Sequence, residues 1–584
     1  MTSLPPAFFR ALEKWDAQYD AAVGLIKRPF SAPGYHTTLT GGEVHPTRES
    51  FMYAVACLDA GDAERRERAN TALRLLLSLQ DTDPASHTYG IWSWFYEEPL
   101  AQMAPPDWNW ADFCGAQLLQ VWIDGRDRID ADLVPQIAHA LRCTCESIIR
   151  RNVGMGYTNI AVMGTYVTLV SGERLGWEDI ASYGRERLDR FAAFTREHGF
   201  TEYNSPTYTH VAITELSRLL LHVQAPDARA IVEALHTEAW QVLARHFHPA
   251  TRQWAGPHSR CYHTVQGEAL LSLLQYASQG QLHYLPAEAV KIDADWPRLG
   301  YHIPAAALPY FAPLTAPHTV VDTYYLSDDR ARPTVCTTYM HPAYCLGSVN
   351  VGDCWNQRRP LVAYWGTAAA PSFLRLRMLN DGYDFSSGYV FTAQQAGAVL
   401  AAVTLVTDNG NTHLSLDPIK DATVRTGDLR VRLEIGGPAA QAIASRPWDF
   451  SSPLTLDLDG LPLTIQLPLA VSGAGAVTGE IRGIADAKAL LHLPAGKVEG
   501  TECAACDLIF YHGSQTEVNL ATLFPTLLAL GIHLGDSPQP VPTVQAARTA
   551  EGVALQWALT PPLTLAAPLG PRPKGELALP AREG

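Results

Sequence analysis

Three segments of the 584-residue chain combine amide, phenol, imidazole and guanidinium groups, which together can orient an anion and move a proton. The first, Gly199 to His210, carries Glu202, Tyr203, Asn204, Tyr208 and His210. Ser205-Pro206 within it reads as a helix N-cap followed by the first helical residue, which puts Tyr208 and His210 in the first turn or so. Turn and cap chemistry accounts for Ser205 and Pro206, but not for Glu202, Tyr203, Asn204 and Tyr208 together. His210 could equally be a satisfied packing histidine. The second segment, Gly256 to His263, delivers His258, Arg260 and Tyr262 after a Gly-Pro turn. Alternation points those three to one side of an extended stretch. The third is Asn159, near the start of an apolar helix, where a cap or a satisfied buried amide is the competing reading.

Aromatic residues form a further group. Trp92, Trp94, Trp108 and Trp110 fall within nineteen positions, interleaved with Glu97, Glu98, Asp107 and Asn109. Indole rings offer flat apolar area while amides and carboxylates fix orientation, a combination suited to a sugar ring. Helix packing accounts equally well for any single tryptophan. Later in the chain, Gln357 and Arg358 read either as interdomain packing or as polar groups placed over a helical cleft. Cys503-Ala504-Ala505-Cys506 is a CxxC without the second Cys/His pair of a structural zinc site, so the ten cysteines read as buried free thiols. The scheme calls for no metal or cofactor.

The elements that must carry these residues change character along the chain. Phe8, Leu12, Trp15, Tyr19 and Val23 follow one another at helical spacing. Further helices are expected near 48–60, 64–80, 108–124, 131–151, 157–171, 177–198, 206–224, 226–246 and 264–279, with short Gly, Pro or Asp breaks. Helices so closely linked form antiparallel hairpins that stack in a line or curl into a ring. After about residue 300 the period becomes two: Leu374, Leu376 and Met378 alternate with Arg375 and Arg377, and Leu429, Val431, Leu433 and Ile435 with Arg430, Arg432 and Glu434. Asp459-Gly460 between alternating runs marks a hairpin. The expected organisation is multidomain α+β: helices over 1–300, an antiparallel β-sandwich over 310–570 and a loose tail over 571–584.

Composition narrows the classes of partner. Hydrophobic residues make up 47% and charged residues 18%, an ordinary globular mix, and the formal charge of −15 argues against a nucleic-acid backbone. No apolar run approaches a membrane span. The charged N-terminal stretch lacks a secretory apolar core, which suggests a cytoplasmic protein, or a secreted or periplasmic one whose leader has been removed.

On these residues the chain resembles the polysaccharide lyases built from an incomplete α/α toroid and an antiparallel β-sandwich, the alginate lyase and heparinase II/III-like group. In that group an Asn is followed some fifty positions later by a Tyr in a segment of the form Gly-aromatic-x-Glu-x-x-(Ser)-x-x-Tyr. Asn159 and Tyr208 stand in that relation, with Glu202 and Ser205 also fitting. His198-Gly199 stands where the group usually has Asp-Gly. The resemblance implies β-elimination on a uronate glycan such as glucuronan or alginate, giving a 4,5-unsaturated uronate end. Removing the ring proton beside the sugar carboxylate requires that carboxylate to be neutralised, a base, and an acid for the leaving oxygen. Asn159 and Asn204 would donate amide hydrogens, and Arg260 or His258 would add positive charge. A free tyrosine titrates near pH 10, so Tyr208 as base needs a cation beside it. His258 or Tyr262 would complete the proton transfers. Trp92, Trp94, Trp108, Asn109, Trp110, Glu202, Asn204, His210, Gln357 and Arg358 would bind the glycan. Two alternatives remain. One is a glycoside hydrolase drawing a carboxylate pair from Glu97, Glu98, Asp107, Asp112 and Glu202. The other is a non-catalytic carbohydrate-binding protein.

Overall fold

Apolar periodicity sets the helices of the first half. The computed structural model describes residues 4–31, 36–326, 332–410, 419–492, 501–535, 541–549 and 552–577. Helix α1 (Pro6–Asp16) buries Phe8 and Leu12. It stops sooner than its spacing suggests, because Tyr19–Asp20 turns back to pair with Leu25–Ile26. There follow α2 (Thr47–Ala60), α3 (Ala63–Ser78), α4 (Trp110–Gln120), α5 (Leu133–Arg151), α6 (Thr158–Leu175), α7 (Glu178–His198), α8 (Tyr208–His222), α9 (Pro226–His246) and α10 (Glu268–Ala277). The pairs α2–α3, α4–α5 and α6–α7 are hairpins, while α2, α4, α6 and α8 pack side by side in one layer. This two-layer wiring is that of an incomplete α/α toroid. Helices α6 and α7 touch backbone to backbone: a Cβ on Gly184 would lie 2.4 Å from the Leu169 Cα, so only glycine fits there.

The chain divides into two compact units, but not at a single point. The helical unit runs through Phe200 and resumes over Tyr208–Gln241 and Gly267–Leu308; Thr201–Thr207 and Val242–Gln266 belong instead with the chain from Pro309 onward.

In this second unit a large antiparallel sheet runs, edge to edge, Arg446–Trp448, Thr478–Arg482, Cys503–Asn519, Thr423–Gly436, Pro371–Asn380, Leu361–Gly366, Tyr344–Val349, Thr334–Met340 and His318–Tyr324. A six-stranded sheet packs on one of its faces, and a three-stranded sheet (Val544–Arg548, Gly552–Trp557, Leu563–Pro568) covers the far side of the six-stranded one. The sandwich therefore has three layers. Strand Ala398–Leu405 shows why its sequence does not alternate. Val399, Ala401, Val403 and Leu405 enter one core, and Ala398, Leu400 and Ala402 enter the other, so both sets must be apolar. The Asp459-Gly460 hairpin forms with both residues at positive φ, 57° and 86°. Cys503 and Cys506, three apart in one strand, enter different cores, so the CxxC cannot chelate. The expected loose tail is packed as far as Leu577: the Thr407 N–H donates to the Arg572 carbonyl at 3.1 Å, and the remainder lies outside the described residues.

The alternating arginines are not a solvated face. Arg375, Arg377, Arg430, Arg432, Glu434 and Asp507 are all buried. Asp507 accepts from Arg432 Nε and Arg430 Nη1 at 2.7 Å each, with Arg482 at 3.1 Å; Glu434 takes Arg375 and Arg377. Burial opposes ionisation of Asp507, but Arg432 and Arg430 outweigh it and hold the carboxyl below its ordinary range. The stabilisation is thus complete above the ordinary Asp pKa of about 3.9 and is lost only as pH falls through the lower, folded value. Asp507→Ala should cost about 3–5 kcal/mol, because buried Arg432 loses the carboxylate it hydrogen-bonds and Arg430 keeps only Asp428. Urea unfolding at neutral pH measures the loss, and the variant should also lose less of its remaining stability on acidification than the parent.

Candidate functional site

Asn159 and Tyr208 start two neighbouring helices. Asn159 is the buried second residue of α6, and Tyr208 is the half-buried first residue of α8. The two helices pack on each other, and residues from the first half of each, Met163 on α6 and His210, Val211 and Thr214 on α8, line one cavity of 220 Å³. Asn159 precedes Met163 by four residues and Tyr208 precedes Val211 by three. Each therefore shares a helical face with a lining residue, about 6 Å and about 4.5 Å nearer the helix start respectively. His210 lines the cavity itself, and burial pushes its pKa down, so it is neutral.

The cavity also holds Arg48, Phe113, Gln117, Glu215, Arg218, Asp293, Asp295 and Trp296. None of these was legible as a site residue. Glu215 and Arg218, an i, i+3 pair, are 2% and 4% exposed. Arg218 binds Glu215 and, at 2.7 Å, Asp295. Surrounding protein, then the neighbouring Asp295 charge, push the Asp293 carboxyl up to about 6. The usable signal was positional: Arg48 occupies the first turn of α2, in the same helical layer as Asn159 and Tyr208.

The tryptophans separate into two groups. Trp92 is a core residue: it is buried, donates to the Leu76 carbonyl at 2.8 Å and packs edge-on against Phe51, which removes it from any sugar subsite. Trp94 and Trp110 lie ring to ring at 5.1 Å, and Trp94 donates to Asp107 at 3.1 Å. Trp108 stacks on His87 at 4.9 Å, and Asn109 accepts from Arg151 at 2.6 Å. These four remain partly exposed. Of the expected hydrolase carboxylates, Glu98 is buried and accepts from Thr38 at 2.6 Å and Glu97 holds His45, whereas Asp112 is buried with its pKa pushed up to about 7, mainly by burial.

In the β unit the structure brings Glu202, Asn204, His258, Arg260 and Gln357 into one cluster. The Gly256 backbone lies directly on strand Tyr344–Val349, where a Cβ on Gly347 would sit 1.8 Å from the Gly256 oxygen. His258 and Arg359 exchange backbone hydrogen bonds at 3.1 and 2.9 Å. Asn204, at φ 41°, is buried; its amide donates to the Ala255 and Pro257 carbonyls at 2.8 Å each, and its Oδ1 accepts from the Trp254 indole at 2.6 Å. Both amide hydrogens are spent, so Asn204 positions this segment and has none left to donate to a sugar acid. Ser205 likewise does not cap α8, which begins three residues later; its hydroxyl donates to the Arg260 carbonyl at 2.7 Å.

His258 donates Nδ1–H to the Asn204 carbonyl at 2.8 Å, leaving Nε2 as the lone-pair nitrogen. Burial drives its pKa down to about 3. The imidazole is neutral near pH 7 and cannot supply the positive charge expected of it. Arg260 donates to Gln357 Oε1 at 2.7 Å and to Glu202 at 3.3 Å, with its guanidinium 4.9 Å over the Trp355 ring. Its orientation is fixed and its charge is shared with Glu202. Arg358 pairs with buried Asp353 at 3.0 Å, and Tyr262 is exposed.

A family profile described as Domain of unknown function (DUF8769) matches residues 7–290. A comparison with curated protein sequences finds no match. Among solved structures the chain is similar to a Streptomyces coelicolor chondroitin AC lyase in complex with chondroitin sulphate, at 10% identity and a TM-score of 0.47, covering 95% of this chain and 85% of that one. A chondroitin lyase of the baculovirus envelope gives 10% identity and a TM-score of 0.26 over 90% and 80% of the two chains. A β-L-arabinofuranosidase from Geobacillus stearothermophilus gives 10% identity and a TM-score of 0.26 over 95% and 80%.

Asn204→Ala should lower stability by about 1–3 kcal/mol, because two buried carbonyls and an indole N–H lose their partner. Urea unfolding measures the cost. Hydrogen exchange should quicken at the His258 and Cys261 amides and not in strand Ala398–Leu405.

Proposed function

We propose that this chain is a lyase that cleaves uronate-containing glycans, of the glucuronan or alginate type, by β-elimination. One observation carries the reading: Asn159 and Tyr208, the pair that fits the lyase pattern in sequence, each stand one turn before residues lining the same cavity. In this assignment the Asn159 amide donates to the sugar carboxylate as it becomes an enediolate, and Tyr208 takes the proton from the ring carbon. Tyr208, returning its proton, protonates the leaving oxygen. Arg260 is a fixed cation that attracts the acidic chain. His258, being neutral, serves as an acceptor at most. Trp94, Trp108, Asn109 and Trp110 form a further contact surface for the glycan.

The test is incubation with glucuronan, alginate and heparin-type chains, followed in the ultraviolet for the 4,5-unsaturated product. Tyr208→Phe should reduce its formation by about 10²–10⁴-fold, the weight of a positioned acid–base group, with glycan binding nearly unchanged. Retained activity would remove Tyr208 from the mechanism.

The cavity supports a second reading as a hydrolase, because Glu215, Asp293 and Asp295 line it together and Asp293 is poised as an acid. New reducing ends without ultraviolet absorbance would favour it; binding with neither product would favour a carbohydrate-binding protein.

A further inference from the structure

The elimination proposed above needs a cation at the sugar acid, and neither cation read from the sequence meets that need fully. His258 is neutral and Arg260 shares its charge with Glu202. The helical cavity contains a better one. Arg48 lines it from the first turn of α2, with its guanidinium 4.1 Å from the centre of the Phe113 ring. Among the described residues Arg48 has no hydrogen-bond or ion-pair partner, although Glu215, Asp293 and Asp295 line the same space.

Arg218, by contrast, is ion-paired with both Glu215 and Asp295. One guanidinium thus faces two carboxylates, and Arg48 adds positive charge at Glu215. Glu215 is 2% exposed, and its Oε2 accepts no hydrogen bond from any described residue. The cavity thus offers one guanidinium whose N–H groups have no hydrogen-bond partner among the described residues, and several acceptors. A sugar acid supplies the complement, one carboxylate for the guanidinium and ring hydroxyls for the acceptors. A neutral sugar would displace water from Arg48 without replacing its charge partner. The 220 Å³ volume corresponds to about seven waters at about 30 Å³ each, room for one sugar ring.

We propose that Arg48 receives the carboxylate of the substrate, so that this cavity selects a single uronate ring over a neutral sugar. For catalysis this rests on the lyase reading; for binding it does not.

The experiment titrates the full chain with methyl β-D-glucuronoside, its methyl ester and methyl β-D-glucoside. The parent protein should bind the free acid at least about tenfold more tightly than either neutral ligand, as one charge-assisted contact warrants. Arg48→Gln should abolish that preference and Arg48→Lys should keep part of it, each variant first shown to melt with the parent. Equal binding of acid and ester by the parent, a preference retained in Arg48→Gln, or no binding of any of the three overturns the assignment. On glucuronan, Arg48→Gln should lower kcat/KM by about 10²–10³-fold, as loss of an oxyanion-stabilising donor does, with little change on the methyl-esterified polymer. An acid preference that depends on Arg48 without any unsaturated product would sink the lyase reading alone. Unsaturated product without that preference would sink the Arg48 assignment alone.

Discussion

The side chain of Asn204 ties together most of the β-unit cluster. Its two amide hydrogens hold the carbonyls on either side of Gly256, its oxygen takes the Trp254 indole, and its backbone carbonyl takes the His258 proton. Asparagine suits this post because its short amide tolerates the left-handed backbone that the geometry imposes. From that anchor the chain from Gly256 to Arg260 lies flat on the large sheet, and the imidazole tautomer, the guanidinium orientation and the seat of Gln357 all follow.

Charge in this protein is distributed by burial. Where arginines and carboxylates are enclosed together, as around Asp507 and Glu434, each ion has partners within hydrogen-bond distance and the group acts as structure. Where a histidine is enclosed without a carboxylate in contact, as at 258, it gives up its charge instead. Arg48 follows neither course: a guanidinium cannot be deprotonated, and it lines a cavity that contains carboxylates while bound to none. The reaction class suggested by Asn159 and Tyr208 demands positive charge at the substrate, which makes that distribution the central electrostatic fact of the helical unit.

The architecture serves these sites by layering. In the helical unit, the α2–α4–α6–α8 layer brings residues from separate helices around one small space. In the β unit, a middle sheet apolar on both faces binds the two outer sheets, so the large sheet can turn its other face to a network of ions and to the Gly256 segment. The short segments Thr201–Thr207 and Val242–Gln266 leave the helical stretch of sequence to join that β unit.

Periodicity alone determined the helices, the change to strands after residue 300 and the hairpin at Asp459-Gly460, because each follows from local spacing of apolar residues and from local turn chemistry. The same local logic marked Asn159, Tyr208, His258 and Arg260 as residues able to do chemistry. Only the tertiary structure decided which atoms remain available. Asn204 spends its amide on backbone, Trp92 disappears into the core, His258 loses its charge and the strand arginines are buried, because hydrogen-bond saturation and desolvation depend on neighbours remote in sequence. Arg48, Glu215 and Asp293 stayed hidden for the same reason: they lie up to 245 residues apart in the chain and become one site only when packed helices enclose them.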